Sequence, residues 1–260
     1  MGESREHLGK LRRIARSGPP RAASIFALGH PGIDPLFGGG LARGRLHEIV
    51  VAEAGEAGSG AGFAAMLALR AGGGGSPILW LRTEGAERRS GGLYAPGLVE
   101  LGVDPDALLL GIVPDDVALL RSAADAARCS GLGALVIESW GNPRALDLTA
   151  SRRLVLAAER SGVTVLLLRI AAEPAPNAAD TRWAVTAAPS LALEANAPGP
   201  VMLEIELLRR RAGPAGMRWR VEWDRDEHAF REPALSGAVL PLPSRRSAED
   251  LRAATLRRTA

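Results

Sequence analysis

The sequence predicts an α/β fold with a mostly parallel sheet flanked by helices. Three observations lead there. Short, nearly continuous apolar runs recur through the middle of the 260-residue chain, as strands buried on both faces require. Segments of helical period separate them, which makes βαβ units. Hydrophobic residues form 47% of the chain, enough to bury a sizeable core.

The elements follow in order. From Ser4 to Arg16, Leu8, Leu11, Ile14 and Ala15 recur at helical spacing among charges, so residues 1–21 read as an amphipathic helical arm closed by Ser17-Gly18-Pro19-Pro20. The core is expected over residues 22–232. It begins with a strand from Arg45 to Ala52 and a helix from Gly62 to Ala71. A strand at Pro77 to Leu81, a helix around Tyr94 to Leu101, a strand at Ala107 to Ile112 and a helix from Asp115 to Cys129 come next. Gly133 to Glu138 is a strand, Leu146 to Arg160 a helix, and Val163 to Ile170 a largely apolar strand. Val201 to Arg211 and Met217 to Trp223, around Gly213-Pro214-Ala215-Gly216, form a β-hairpin. Residues 233–260, rich in Pro and Arg, make a flexible basic tail that gains structure on a partner.

Composition excludes several function classes. A single cysteine, Cys129, rules out an intramolecular disulfide, and with four scattered histidines no metal site is expected. No apolar run approaches the ~20 residues that span a bilayer, and residues 1–21 lack the apolar stretch of a secretory signal, so a cytoplasmic protein is expected. Net charge is +3, but the ends are basic: Arg12 and Arg13 lie among the cations of the arm, and Arg245, Arg246, Arg257 and Arg258 among those of the tail. Basic ends on a mildly acidic body are candidates for contact with DNA or an acidic partner. Of the 32 cationic side chains, only Lys10 is a lysine.

That last fact bears on the segment after the first strand. Gly55-Glu56-Ala57-Gly58-Ser59-Gly60-Ala61-Gly62 has the glycine spacing of a P-loop, in which backbone amides cradle phosphates, a lysine reaches the β and γ oxygens, and a hydroxyl holds magnesium. Lysine and Ser/Thr belong at positions 61 and 62, where this chain has Ala61 and Gly62. The expectation is a degenerate nucleotide site with weak or absent ATP binding, no cofactor and no enzymatic activity, because phosphoryl transfer depends on charge stabilisation.

The order of segments resembles the bacterial RecA recombinase core. Leu28-Gly29-His30-Pro31-Gly32-Ile33-Asp34, Gly38 to Arg45 and Glu48-Ile49 resemble the entry to its first core strand. Ile78 to Glu84 is similar to the strand ending in the water-activating glutamate, which the resemblance assigns to Glu84; Leu93-Tyr94-Ala95 is similar to the stretch whose tyrosine stacks on adenine, here Tyr94. Ala134 to Ser139 resembles the Walker B strand, with Glu138 in the place of its aspartate. The likeness runs from about Ala22 to Glu194, but the two DNA-binding loops differ: Trp140 to Arg152 is short, and Ala171 to Thr181 carries no cation before Arg182.

With the arm, the run Thr181-Arg182-Trp183-Ala184-Val185 to Ala188-Pro189-Ser190, and the hairpin from Arg209-Arg210-Arg211 to Trp223, the chain resembles the ImuA family. That resemblance implies a non-catalytic adaptor of translesion synthesis in damage-induced mutagenesis, working beside an inactive Y-family polymerase relative (ImuB-like) and an error-prone polymerase of the replicative type. RecA and DNA, the latter weakly and without sequence preference, are further candidate partners, at the nucleoid after damage. Trp219 and Trp223 share one face of the hairpin and are candidate contacts for a partner or for bases. A cell-division inhibitor of the SulA-like kind and a working ATPase of the RecA or KaiC kind stay open as alternatives.

Overall fold

The computed structural model describes residues 24–73, 75–190, 197 and 199–233. The arm with Arg12 and Arg13, and the tail cations Arg245, Arg246, Arg257 and Arg258, lie outside the described residues. A short antiparallel pair, β1 (Ile25–Phe26) and β2 (Leu41–Ala42), precedes the main sheet. The main sheet holds β3 (Leu46–Val51), β4 (Ile78–Thr83), β5 (Leu108–Val113), β6 (Ala134–Trp140), β7 (Thr164–Ile170), β8 (Thr181–Ala187), β9 (Met202–Arg210), β10 (Arg218–Asp224) and β11 (Ala229–Arg231). Its order is β11-β10-β9-β8-β3-β7-β6-β4-β5. From β8 to β5 every pairing is parallel, and β9, β10 and β11 extend the sheet antiparallel.

The helices are α1 (Ala57–Gly72), α2 (Glu84–Ser90), α3 (Ala95–Glu100), α4 (Asp116–Ala126) and α5 (Leu148–Ser161). The pleat sends alternate residues of each strand to opposite faces. Ile49, Val51, Val136, Leu166 and Leu168 meet Phe63, Met66 and Leu67 of α1 in one cluster. Leu46, Leu135, Ile137, Val165 and Leu167 meet Leu119 of α4 and Leu154 and Ala158 of α5 in the other. Strands β3 and β7 are buried along their whole length, and the charged Glu48 and Arg169 are buried in them beside the apolar residues.

Three elements depart from the sequence reading. Helix α1 begins at Ala57, inside the glycine run and well before Gly62, after a 3₁₀ turn at Ala54–Glu56. Helix α2 follows β4 directly and buries only Ala86, so it shows no apolar period. Strand β8 enters the sheet parallel to β3 without an intervening helix, by way of residues 171–180.

A polar chain ties β3 to β8. Trp183 Nε1 donates to Thr181 Oγ1 at 2.9 Å, and Thr181 Oγ1 lies 2.8 Å from His47 Nδ1. His47 Nε2 lies 2.9 Å from the Ala42 carbonyl, which only accepts, so Nε2 carries the proton and Nδ1 accepts from the threonine hydroxyl. Burial holds the His47 pKa below its ordinary 6.5, against the raising effects of the Ala42 carbonyl and Asp180. Burial lowers His30 as well, opposed by Glu232 and Asp34. A depressed folded-state value means that the unfolded chain binds more protons as pH falls below about 6.5. The stability these histidines contribute is present above that pH and is lost as pH falls through their folded-state values. The urea midpoint is therefore expected to fall between about pH 7.5 and pH 5.5, with a shallower slope in His47→Gln, read by circular dichroism. An equal slope in the variant would contradict this assignment.

Candidate functional site

A cleft of about 890 Å³ opens where the carboxyl ends of β4 and β6 meet the start of α1, the α3 segment and the antiparallel strands. Of the residues singled out in the sequence, Gly58, Ala61, Gly62, Tyr94 and Glu138 line it, whereas Gly55, Gly60 and Glu84 do not. Ligands of open α/β sheets bind at such strand ends.

The glycines of the loop have separate roles. Gly60 sits in α1 against the sheet, where a Cβ would lie 2.4 Å from Val51 Cγ2 and 3.0 Å from Leu168 Cδ1. It is there for helix–sheet packing, and any side chain would overpack the core. Gly55 and Gly58 have open space around a notional Cβ, and neither they nor Gly62 adopts positive φ. Glu56 stands at the mouth of α1. Its Oε2 accepts from Ser59 Oγ at 2.7 Å and from the Ala187 amide at 2.8 Å. The Ser59 hydroxyl, and after it that amide, hold the Glu56 carboxyl below its usual range. A fixed negative charge thus stands where helix amides would attract an anion.

Glu138 is 2% exposed, and both of its oxygens accept hydrogen bonds. Its Oε1 accepts from Arg82 at 3.0 Å and from Trp140 Nε1 at 3.1 Å, and its Oε2 from Trp80 Nε1 at 3.0 Å. Arg82, also 2% exposed, donates further to Glu87 Oε1 at 3.0 Å, Ser90 Oγ at 2.7 Å and the Gly91 carbonyl at 3.0 Å. Alternation explains the meeting. Trp80 and Arg82 on β4, and Glu138 on β6, fall on the face of α1, and β4 and β6 are paired in parallel.

Glu84 is not at the cleft. Thr83 accepts from the Ala86 amide and caps α2, so Glu84 falls in the first helical turn and pairs with Arg88 at 3.6 Å on an exposed face. Tyr94 is 73% exposed, its ring lying over Gly97 at the entrance of α3. Glu100, Glu222 and Asp226 also line the cleft, as does Asp224, which pairs with Arg231. Among the described residues, no group of three or more His, Cys, Asp and Glu could hold a metal ion.

Trp219 and Trp223 share one face as the alternation implied, but that face is the core. Trp223 is 4% exposed, and its Nε1 donates to the Leu101 carbonyl at 3.1 Å. Trp219 packs on Trp183, with ring centroids 6.1 Å apart. Buried Trp223 presents no aromatic platform to bases, whereas Trp219 is half-buried and lines a hollow together with Arg218 and Arg220. The outward residues form the ion pairs Arg218–Glu206 and Arg220–Glu204 instead.

Residues 171–180, in the place of the second DNA-binding loop, are held to the body. Arg182 donates to the Ala175 carbonyl, Arg209 to that of Asn177 at 2.8 Å, and the Ala178 amide to Ser151 Oγ at 3.1 Å. Arg182 in turn pairs with the fully buried Glu48, which Arg169 also contacts at 3.3 Å. The sequence reading missed Arg82, Arg169 and Glu48 as a set. Their signal was a charge inside an apolar strand, which needs a partner on the neighbouring strand.

No protein-family model matches the chain. It is 33% identical over 216 residues to Protein ImuA of Caulobacter vibrioides, an alignment spanning 77% of this chain and 78% of the relative, with the same figures in two strains. The crystal structure of the RadB recombinase superposes with a TM-score of 0.52 at 16% identity, covering 81% of this chain and all of that one. The latter likeness establishes a RecA-like fold, in agreement with the strand order. No helix among the described residues is long and apolar enough to cross a membrane.

The Glu138–Arg82 pair yields a direct prediction. Glu138→Gln removes the buried one of Arg82's two carboxylate partners, leaving only the more exposed Glu87, and is expected to lower unfolding free energy by about 3 kcal/mol. The double change Arg82→Met with Glu138→Leu recovers a large part of it, measured by denaturant titration. A single-variant loss below about 1 kcal/mol would contradict the buried pairing.

Proposed function

The chain belongs to the ImuA family, and on that premise we propose that it acts as a non-catalytic, RecA-like adaptor in damage-induced mutagenesis. In this role it recruits or organises an error-prone translesion complex, with an inactive Y-family polymerase relative and an error-prone polymerase of the replicative type as its partners. RecA and DNA are secondary partners, and the protein moves from the cytoplasm to the nucleoid on damage.

One observation carries the non-catalytic reading. At the cleft floor the buried Glu138 carboxylate already accepts from Arg82, Trp80 and Trp140, and the Arg82 guanidinium neutralises its charge, which leaves it a poor ligand for a hydrated magnesium ion. The surroundings agree with it. Ala61 and Gly62 offer neither an ammonium nor a hydroxyl, and Arg82 is turned to its own carboxylates and carbonyl. Glu56 at the mouth of α1, and Glu100, Glu222 and Asp226 around the cleft, outnumber Arg225, the exposed cation among the described lining residues, and leave a net charge of the sign that repels a triphosphate. A nucleoside triphosphate with its metal does not fit these residues, and phosphoryl transfer lacks its means of charge stabilisation. The fold then serves as a scaffold, as folds commonly do when their sites change.

Complementation tests this reading. In cells lacking their own copy, the wild-type chain is expected to restore damage-induced mutation and to co-purify with the inactive polymerase relative. Glu84→Gln, on the exposed face of α2, is expected to keep mutation frequency within about twofold of wild type. Abolished mutagenesis in Glu84→Gln would favour a working ATPase. Filamentation on overexpression with no effect on mutation would favour a division inhibitor.

A further inference from the structure

We propose that the groove between α5 and residues 171–180 is a docking site for an acidic, leucine-bearing segment of a partner protein. This goes beyond the adaptor reading and does not depend on the state of the nucleotide cleft. The groove encloses about 870 Å³ on the sheet face opposite α1.

Helix α5 has two stripes. Ser151, Leu154, Ala157 and Ala158 face the sheet and are buried. Leu148, Arg152 and Leu156, spaced by four and therefore aligned along the axis, face the groove. Leu148 is 37% exposed and Leu156 53%, so this second stripe has aliphatic surface with no partner in the described structure. Pro174 and Pro176 form the opposite wall. That wall is rigid, because Arg182, Arg209 and Ser151 fix residues 175, 177 and 178 as described above. A pre-formed wall lowers the ordering cost of binding.

The charges select the occupant. Arg152 and Arg211 line the groove exposed and have no carboxylate partner among the described residues, and Arg209 donates to a carbonyl. The acid in the lining, Glu159, pairs with Arg45; of those nearby, Asp147 caps α5 by accepting from the Ala150 amide, and Glu173 lies beside the proline wall. A cationic rim around an aliphatic floor suits an acidic segment with apolar anchors. Single-stranded nucleic acid fits less well, since none of the described residues lining the groove is an aromatic that could stack a base. The ends of this chain fit less well again, since residues 1–21 and 245–260 carry excess positive charge.

Fluorescence anisotropy with the full chain tests the proposal, using labelled peptides of about 15 residues with leucine at every fourth position among Glu and Asp. Control probes are the same peptides with Lys replacing the acids, and an oligothymidine of ~20 nucleotides. The acidic peptides are expected to bind, the lysine peptides not. Arg152→Glu with Leu156→Asp is expected to weaken acidic-peptide binding about tenfold or more, with far-ultraviolet circular dichroism and melting unchanged. Arg211→Glu, at an exposed position on a different element, is expected to weaken it in the same direction. No binding of the acidic peptides, or equal binding by the variants, overturns the proposal. So does oligothymidine binding that the variants abolish while peptide binding persists, or self-association of the wild type that the variants abolish.

Discussion

A carboxylate and a guanidinium taken out of water must satisfy each other and every remaining hydrogen-bonding position, or the fold loses several kcal/mol. In this protein that requirement governs the carboxyl ends of β4 and β6. Glu138 meets it with Arg82 and two indole N–H groups, and Arg82 meets most of it by reaching on to Glu87, Ser90 and the Gly91 carbonyl. The position of α2 depends on this, since three of the acceptors lie on it or at its end. The chemistry of the cleft depends on it as well. On the proposed reading, a charge pair that spends most of its hydrogen-bonding capacity within the protein gives a ligand little to bind.

The same constraint recurs on the opposite face of the sheet. Glu48 lies wholly buried on β3, between Arg169 of β7 and Arg182 of β8. By engaging Arg182, this cluster anchors the crossover that leads into β8, and the Ala175 carbonyl is held by the same guanidinium. Residues 171–180 are held to the body at Ala175, Asn177 and Ala178. Buried ion pairs of this sort add little net stability over apolar packing, but they fix where neighbouring segments sit.

Much of the fold was legible because the parallel strands are apolar on both faces, and the run from Val163 to Ile170 could be little else. The start of α1 was not. Glycine is a poor helix former, so the run from Gly55 to Gly62 reads as a loop until the packing of Gly60 on Val51 and Leu168 is seen. Helix α2 turns only Ala86 to the core and has no period to find. Alternation placed Trp219 and Trp223 on one side correctly, yet it carries no sign for inside or outside; the sheet order supplies that. For the site, the missing lysine and hydroxyl were visible in the sequence. The engagement of Glu138 was not, because it requires β4 and β6 to be neighbours.

On the proposed function, the cleft keeps the position of an ATPase site without its affinity for the nucleotide. Calorimetric titration of the full chain with magnesium ATP tests it most directly. The expected result is no saturable binding at concentrations up to about 1 mM, which corresponds to a binding free energy weaker than about −4 kcal/mol. Saturable binding in the micromolar range with magnesium-dependent turnover would contradict it.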